Sequence, residues 1–314
     1  MIVVTGGLGF IGSNLVHELN GRGRQDVVVV DDFSDGRKMA NLRGATIADY
    51  YDYREFLSRF DSLARSADGI ETVYHLGACS DTTEWDGRLM MDMNFGYSRD
   101  LLDLCETRTI PFIYASSAAV YGLSRLCAEQ SHCEGPLNVY GYSKLAFDQH
   151  VRQRFARARS RIVGLRFFNV YGPREQHKGR MASVAFHFNQ QLKSTGVVRL
   201  FGASHGVAAG EQRRDFIHVD DVVDQTLWFG AADDVAGIFN CGTGIAASFN
   251  DVAGAVLAWH GHGSVEYIPF PEDLVDAYQA HTHAVLAHTR AAGYQRAMRP
   301  VQEGVRAYLD WLNG

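Results

Sequence analysis

The sequence is short of several features, and each shortage excludes something. No apolar run approaches the ~20 residues needed to span a bilayer, so no membrane-spanning helix is predicted. An excess of positive charge is also missing. Thirty Lys+Arg stand against 36 Asp+Glu, a formal charge of −6, which argues against a nucleic-acid partner. The five cysteines, Cys79, Cys105, Cys127, Cys133 and Cys241, include no C-x-x-C pair and are odd in number. That is the usage of free thiols in a reducing compartment. His132 and Cys133 lie near Cys127, but no fourth ligand follows at a usual zinc spacing, so no metal is expected. The opening residues Met1 to Gly6 have no basic n-region and enter a strand pattern directly. No signal peptide is expected, and a cytoplasmic location is. Repeats, low-complexity tracts and linkers are absent as well.

What is present is a chain of 314 residues, 46% of them hydrophobic, enough for one large α/β unit or two lobes. Ile2-Val3-Val4 reads as a buried strand. It runs into Gly6-x-x-Gly9-x-x-Gly12 and then into an amphipathic helix through Leu15, Val16 and Leu19. Strand, glycine turn and helix in that order form the fingerprint of dinucleotide binding, where a pyrophosphate approaches a helix N-terminus. Val27 to Val30 is the second strand, ending in Asp31-Asp32 about 20 residues after the glycines, where an acid usually takes the ribose 2′-OH. Arg37 and Lys38 follow and would suit a 2′-phosphate; a solvated loop is the other reading.

Thr46 to Asp49 resembles the end of a third strand and Tyr53 to Phe60 a helix. Thr72 to Ala78 is a fourth strand ending in small residues, Asn94 to Leu104 a helix, and Phe112 to Ser117 a fifth strand. This alternation predicts parallel βαβ units in a doubly wound (Rossmann) α/β sheet. A second, smaller α/β domain is built from late pieces of the chain. The expected division is 1–168 with 216–240 for dinucleotide binding and 169–215 with 241–314 for substrate.

Tyr140-Gly141-Tyr142-Ser143-Lys144 carries the chemistry. Residues four apart share a helix face, and Asn138 is the expected N-cap. An ammonium ~4 Å from a phenol, at an effective dielectric of ~20, supplies roughly the 4 kcal/mol needed to bring a tyrosine from ~10 toward neutral pH. Tyr140 would then exchange a proton with a substrate hydroxyl while a hydride moves from the adjacent carbon. Ser117, at the end of its strand, would hold the reacting oxygen. After the strand Arg161 to Phe168 and Asn169-Val170-Tyr171-Gly172-Pro173 comes a polar loop with His177, Lys178 and Arg180, suited to substrate contacts. Val207 to Gly210 reads as a flexible tip. Arg213 and Arg214 would clamp a diphosphate or form a solvated pair. Ile238 to Asn240 is a short strand, and Val301 to Leu312 an amphipathic terminal helix.

Together, Gly6-x-x-Gly9-x-x-Gly12, the Ser117 strand, Tyr140-x-x-x-Lys144, Asn169 to Pro173 and Arg214-Asp215-Phe216 resemble the extended short-chain dehydrogenase/reductases, the nucleotide-sugar epimerase family. The resemblance implies that Tyr140 is the acid/base, that Lys144 orients the nicotinamide ribose and tunes Tyr140, and that Ser117 holds the substrate oxygen. A narrower resemblance, to the members acting on ADP-heptose, rests on Asp81-Thr82-Thr83-Glu84-Trp85-Asp86-Gly87, Pro136 to Lys144, His177-Lys178-Gly179, Met181 to His187 and Tyr278-Gln279-Ala280. It implies inversion at C6 of ADP-D-glycero-D-manno-heptose, a lipopolysaccharide inner-core precursor, with a tightly held NADP (or NAD) and a homopentamer. Lys178 becomes a second acid/base group opposite Tyr140; without the resemblance it reads as a phosphate contact or loop lysine. Implied cofactor contacts are Gly6, Gly9, Phe10, Ile11, Gly12, Asp31, Asp32 and Lys38, then Leu76, Gly77, Ala78, Cys79, Asn94, Lys144, Val170 and Lys178. Implied substrate contacts are Ser117, Asn169, Arg180, His187, Phe201, Ser204, Arg214 and Tyr278.

The sequence departs from the pattern at four places. Arg180 stands where a small serine is common, Leu76 where an acid is frequent, and Tyr53, beside Arg54, where a lysine helps hold the cofactor. The segment Gly206 to Gly210 is longer than usual. The competing readings are another nucleotide-sugar epimerase, such as a UDP-hexose 4-epimerase, and a non-catalytic dinucleotide-binding sensor, which would need neither Tyr140 nor Lys144.

Overall fold

The computed structural model describes residues 1–271 and 279–314. In its first half the chain forms β1 (Ile2–Thr5), α1 (Phe10–Gly21), β2 (Val27–Asp31), β3 (Asp49–Asp52), α2 (Tyr53–Ala64), β4 (Thr72–His75), α3 (Gly87–Met90), α4 (Tyr97–Arg108), β5 (Phe112–Ser117) and α5 (Val139–Arg152). There follow β6 (Ile162–Phe167), β7 (Asn169–Tyr171), α6 (Val184–Thr195), β8 (Val197–Phe201), β9 (Arg213–Arg214), β10 (Phe216–His218), α7 (Val219–Ala231), β11 (Gly237–Cys241), β12 (Ala247–Ser248), α8 (Phe249–His260), β13 (Ser264–Ile268), α9 (Ala287–Ala291) and α10 (Val301–Asn313). The chain divides into two compact units: Met1–Val120 with Pro136–Arg166 and Val223–Phe239, and Tyr121–Gly135 with Phe167–Val222 and Asn240–Gly314.

The first unit is organised by a seven-stranded sheet in the order β11-β6-β5-β4-β1-β2-β3. The pairs β3–β2, β2–β1, β1–β4 and β4–β5 are parallel. The reason is legible in the residues. Val27 to Val30 and Ile2 to Val4 are buried throughout, and strands covered on both faces read as unbroken apolar runs. Packed on the sheet are Phe56 and Phe60 of α2, Leu101, Leu102 and Cys105 of α4, and Phe147 and Val151 of α5. The strand order reverses between β1 and β4, and the crevice at such a switch point, outside the strands' C-terminal ends, is where ligands bind in open α/β sheets. The second unit has short two-stranded sheets, β10–β7, β12–β9 and β13–β8. Its core joins Phe188 and Leu192 of α6, Val252 and Val256 of α8, and Val305, Tyr308 and Leu309 of α10.

Several expectations are corrected. The third strand begins at Asp49, where the sequence reading ends it: Val28 pairs with Asp49 and Asp31 with Asp52. Tyr50 and Tyr51 supply the strand-forming residues. The fourth strand stops at His75, so Leu76 to Ala78 lie beyond it. Before α4, Met91–Gly96 is a π-helical turn. Around the segment Val207 to Gly210, Ser204 and Val207 bridge each other, and Gly210 N donates to Phe201 O at 3.0 Å. Residues 121–135, expected in the first domain, belong to the second unit. There the Tyr121 hydroxyl donates to Asn240 Oδ1 at 2.6 Å and Asn240 N to Glu129 Oε1 at 2.7 Å.

Candidate active site

The site in the first unit starts at the glycine turn. Gly6 has φ +68°, and a Cβ on Gly12 would lie 2.1 Å from Gly6 O. Only glycines let the strand fold back so closely onto the start of α1. The result is a cradle at a helix N-terminus that fits a dinucleotide pyrophosphate. Gly9 is the N-cap residue of α1, with Phe10 and Ile11 in its first turn. Asp31 braces this turn. One carboxylate oxygen accepts Leu8 N at 2.8 Å, and the other accepts Asp32 N at 2.7 Å and Lys38 Nζ at 3.1 Å. Lys38 Nζ also donates to Asp32 O at 2.8 Å. Asp31 and Lys38 are thus one ion pair at the end of β2.

Across the switch point, Gly77 N donates to Thr5 Oγ1 at 3.1 Å, which ties the segment after β4 to the end of β1. From Thr5 a thread of hydrogen bonds runs inward. Thr5 Oγ1 meets His75 Nδ1 at 2.7 Å, His75 Nε2 meets Ser98 Oγ at 2.8 Å, and Ser98 Oγ donates to Asn94 O at 2.7 Å. Because Ser98 spends its proton on Asn94 and Thr5 Oγ1 accepts Gly77 N–H, His75 is the neutral tautomer with its proton on Nε2. Burial, aided by Lys144, lowers its pKa to about 3. The Asn94 amide accepts Cys79 N at 2.8 Å and donates to Cys79 O and Ser143 Oγ, both at 3.0 Å. Asn94 therefore holds Leu76 to Cys79 in place through Cys79 and reaches α5 through Ser143.

Asn138 caps α5, accepting Gly141 N at 2.8 Å, and Tyr140 and Lys144 share a face of that helix. Ser117, at the end of β5, accepts Ala119 N at 3.1 Å and lies close enough to the Tyr140 phenol to lower its pKa. Lys144 is 5% exposed, and its Nζ donates to Ala115 O at 2.9 Å. Burial lowers its pKa to about 8, opposed by Asp148 and Cys79. The expectation that Lys144 makes Tyr140 acidic is corrected. Burial pushes the phenol above 10, Ser117 pulls it back, and Cys79 adds a smaller push upward.

In the second unit Lys178 and Arg180 lie in the 3-10 segment Gln176–Met181, broken at Gly179 (φ 53°). Glu175, fully buried, pins this loop: it accepts Gly172 N at 3.3 Å, Ser183 N at 2.6 Å and Ser183 Oγ at 2.7 Å. Burial lowers the pKa of Lys178, and Glu175 opposes this. His187 meets Arg180 O at 3.3 Å. Asn169 is exposed at the start of β7, next to Val170. Ser204 accepts Gln212 Nε2 at 2.9 Å, and the Phe201 ring packs on Phe270 at 5.3 Å. Arg213 and Arg214 are not a matched pair. On β9 they alternate: Arg213 is exposed and bonded to Ala246 O, while Arg214 is buried over the Phe249 ring. Tyr278 lies outside the described residues.

Thr5, His75, Asp148 and Glu175 have no role assigned from the sequence, and Asp215 enters there only as part of the Arg214-Asp215-Phe216 motif. Asp148 was the most accessible of these, since it continues the four-residue spacing of Tyr140 and Lys144 by one more turn. Asp215 accepts Thr243 N and Oγ1 at 2.7 Å and Gly244 N and Ala284 N at 2.9 Å, organising the turn after β11. Nothing in the local sequence around Asp215 announces such distant partners. Among the described residues, no cluster of three or more His, Cys, Asp or Glu could hold a metal, and no helix is long and apolar enough to cross a membrane.

Residues 2–242 match the model of the NAD dependent epimerase/dehydratase family. Over 310 residues, the chain is 57% identical to the ADP-L-glycero-D-manno-heptose-6-epimerase of Alkalilimnicola ehrlichii, covering 99% of this chain and 97% of that one. Its structure is similar to that of the ADP-L-glycero-D-manno-heptose-6-epimerase of Helicobacter pylori, with TM-score 0.87, 30% identity and coverage of 100% and 96%. It is also similar to the UDP-glucose 4-epimerase of Thermotoga maritima, with TM-score 0.81, 27% identity and coverage of 99% and 98%. With residues 2–242 matching the family model and a 57% identical relative aligned over 99% of the sequence, the chain belongs to the NAD dependent epimerase/dehydratase family.

Proposed function

We propose that the protein converts ADP-D-glycero-D-manno-heptose to ADP-L-glycero-D-manno-heptose by taking a hydride from C6 and returning it to the opposite face. The observation that carries the chemistry is Ser117 beside the Tyr140 phenol, with Lys144 one turn further along the same face of α5. The substrate follows from the 57% identity to a relative of that name across nearly the whole chain. A nicotinamide dinucleotide, when bound, supplies the carbon that accepts the hydride and gives it back. The Gly6–Gly12 turn and Leu76 to Cys79 would hold it.

The chain's own part is proton management. Oxidation at C6 needs a base for the hydroxyl proton, and reduction needs an acid. Burial pushes the Tyr140 phenol up and the Lys178 ammonium down. Tyr140 and Lys178 are assigned on the family resemblance as the two groups, one for the proton taken in oxidation and one for the proton given in reduction. A phenolate formed at Tyr140 is favoured by Ser117, and Lys144 is assigned to the nicotinamide ribose on the family resemblance. In the reverse direction the roles exchange. Asn169, Arg180, His187, Phe201, Ser204, Arg214 and Tyr278 are assigned to the substrate on the family resemblance.

NADP is the dinucleotide we favour. Asp31 points its carboxylate into the glycine turn and is neutralised by Lys38. This weakens the repulsion a bare acid would exert on a 2′-phosphate. The homopentamer and the cytoplasmic location are carried over from the resemblance.

The test uses ADP-D-glycero-D-manno-heptose deuterated at C6, followed by NMR in ordinary water. The expected product has inverted C6 and keeps the label, because the same hydride returns. Label lost to solvent would overturn the mechanism. Turnover of UDP-hexoses alone would favour the 4-epimerase, and no turnover with nucleotide retained a sensor. Mass spectrometry of the nucleotide released on denaturation decides between NADP and NAD.

A further inference from the structure

We propose that Asp148 is a positioning residue for this reaction, fastening the strand that presents Ser117 to the helix that presents Tyr140 and Lys144. The inference rests on the reading that those three residues carry the chemistry. Tyr140, Lys144 and Asp148 recur every fourth residue on one face of α5. Asp148 is fully buried. It accepts Tyr114 Oη at 2.9 Å, Ser116 Oγ at 3.0 Å, and Arg166 through Nε at 2.9 Å and Nη2 at 2.8 Å. Between Tyr114 and Ser116, the Ala115 carbonyl accepts Lys144 Nζ at 2.9 Å. Three consecutive residues of β5 are therefore tied to α5 through two side chains one turn apart. Ser117 is the next residue along the strand.

A buried ion pair is seldom the most stable way to fill a core, since apolar residues of similar volume often do as well. Here the pair buys geometry at the residue before Ser117, and a charge close to Lys144. The groups facing Lys144 are Tyr140 and Asp148 on its own helix, His75 on β4, Cys79 after β4, and Tyr114 and Arg166 reached through Asp148 on β5 and β6. Asp148 is the first of these to favour the ammonium against burial. The same carboxylate that locks the strand thus keeps the proton on Lys144.

Lys38, Lys144, Lys178 and Lys193 are the only lysines, so 13C labelling at lysine Cε gives a spectrum that can be read directly. Loss of a signal in Lys144→Met identifies Lys144. In Asp148→Asn its titration midpoint should fall from about 8 by about one unit or more, the size expected for a lost neighbouring charge. The pH above which turnover declines should fall by the same amount, with nucleotide content unchanged. Asp148→Asn removes the carboxylate charge that faces the buried Arg166, so Asp148→Asn with Arg166→Met serves as the folded comparison and should shift in the same direction. An unmoved Lys144 midpoint in either folded variant overturns the proposal. An inactive wild type, or a fully active Tyr140→Phe, would instead sink the reading on which it rests.

Discussion

Lys144 has one hydrogen bond to a carbonyl and almost no solvent, and its pKa of about 8 against the ordinary 10.5 expresses that strain. Two consequences run in opposite directions. Turnover should decline as pH rises through about 8, because the neutral amine has lost a proton and the charge with which it would hold the nicotinamide ribose. Stability behaves otherwise. Between the folded and unfolded pKa values the unfolded chain binds the extra proton, so Lys144's contribution to stability rises with pH across that window. By pH 9.5 the gain is about 2 kcal/mol, at about 1.4 kcal/mol per unit. Denaturation of wild type and Lys144→Met at pH 7 and 9.5 checks this: the wild type should gain on the variant as activity is lost. Parallel loss of both would mean that alkaline inactivation is ordinary unfolding.

At the scale of elements, α5 does the most for the site, and its start is set by a single side chain. Asn138→Ala removes the cap on Gly141 N and should lower stability by about 1 kcal/mol. Tyr140 sits in the first turn, so turnover should suffer more than the melting temperature; a fall in melting temperature with unchanged turnover would show that the first turn is held by other contacts. That cap was legible in the sequence, as were the glycine turn, the valine strands and the four-residue spacing of Tyr140 and Lys144, because each depends on neighbours in the chain. The third strand was misplaced because Thr46-Ile47-Ala48 has strand-like residues but lacks the pairing that begins at Asp49. Asp148 and Glu175 were missed because their partners come from other elements. Arg166 and Tyr114 reach Asp148 from neighbouring strands, and Ser183 reaches Glu175 from the start of α6. A buried carboxylate shows its purpose only once those partners are known.

At the scale of the whole molecule, the doubly wound sheet was predictable from the alternation of strands and helices, whereas the path of residues 121–135 was not. Their attachment depends on Asn240, more than a hundred residues later in the chain. One part of the sheet bears on how the protein meets acid. His75 is held neutral between Thr5 and Ser98 and resists protonation down to about pH 3. An unfolded chain would take that proton near 6.5. The stability His75 contributes is therefore complete above pH 6.5 and drains away as pH falls toward 3, with His218, lowered to about 4, adding to the loss. Circular dichroism during an acid titration should show the fold collapsing within that interval with net proton uptake, and a fold persisting below pH 3 would contradict it. The bolt that squares the cofactor crevice at neutral pH would then also set the lowest pH at which the protein can survive.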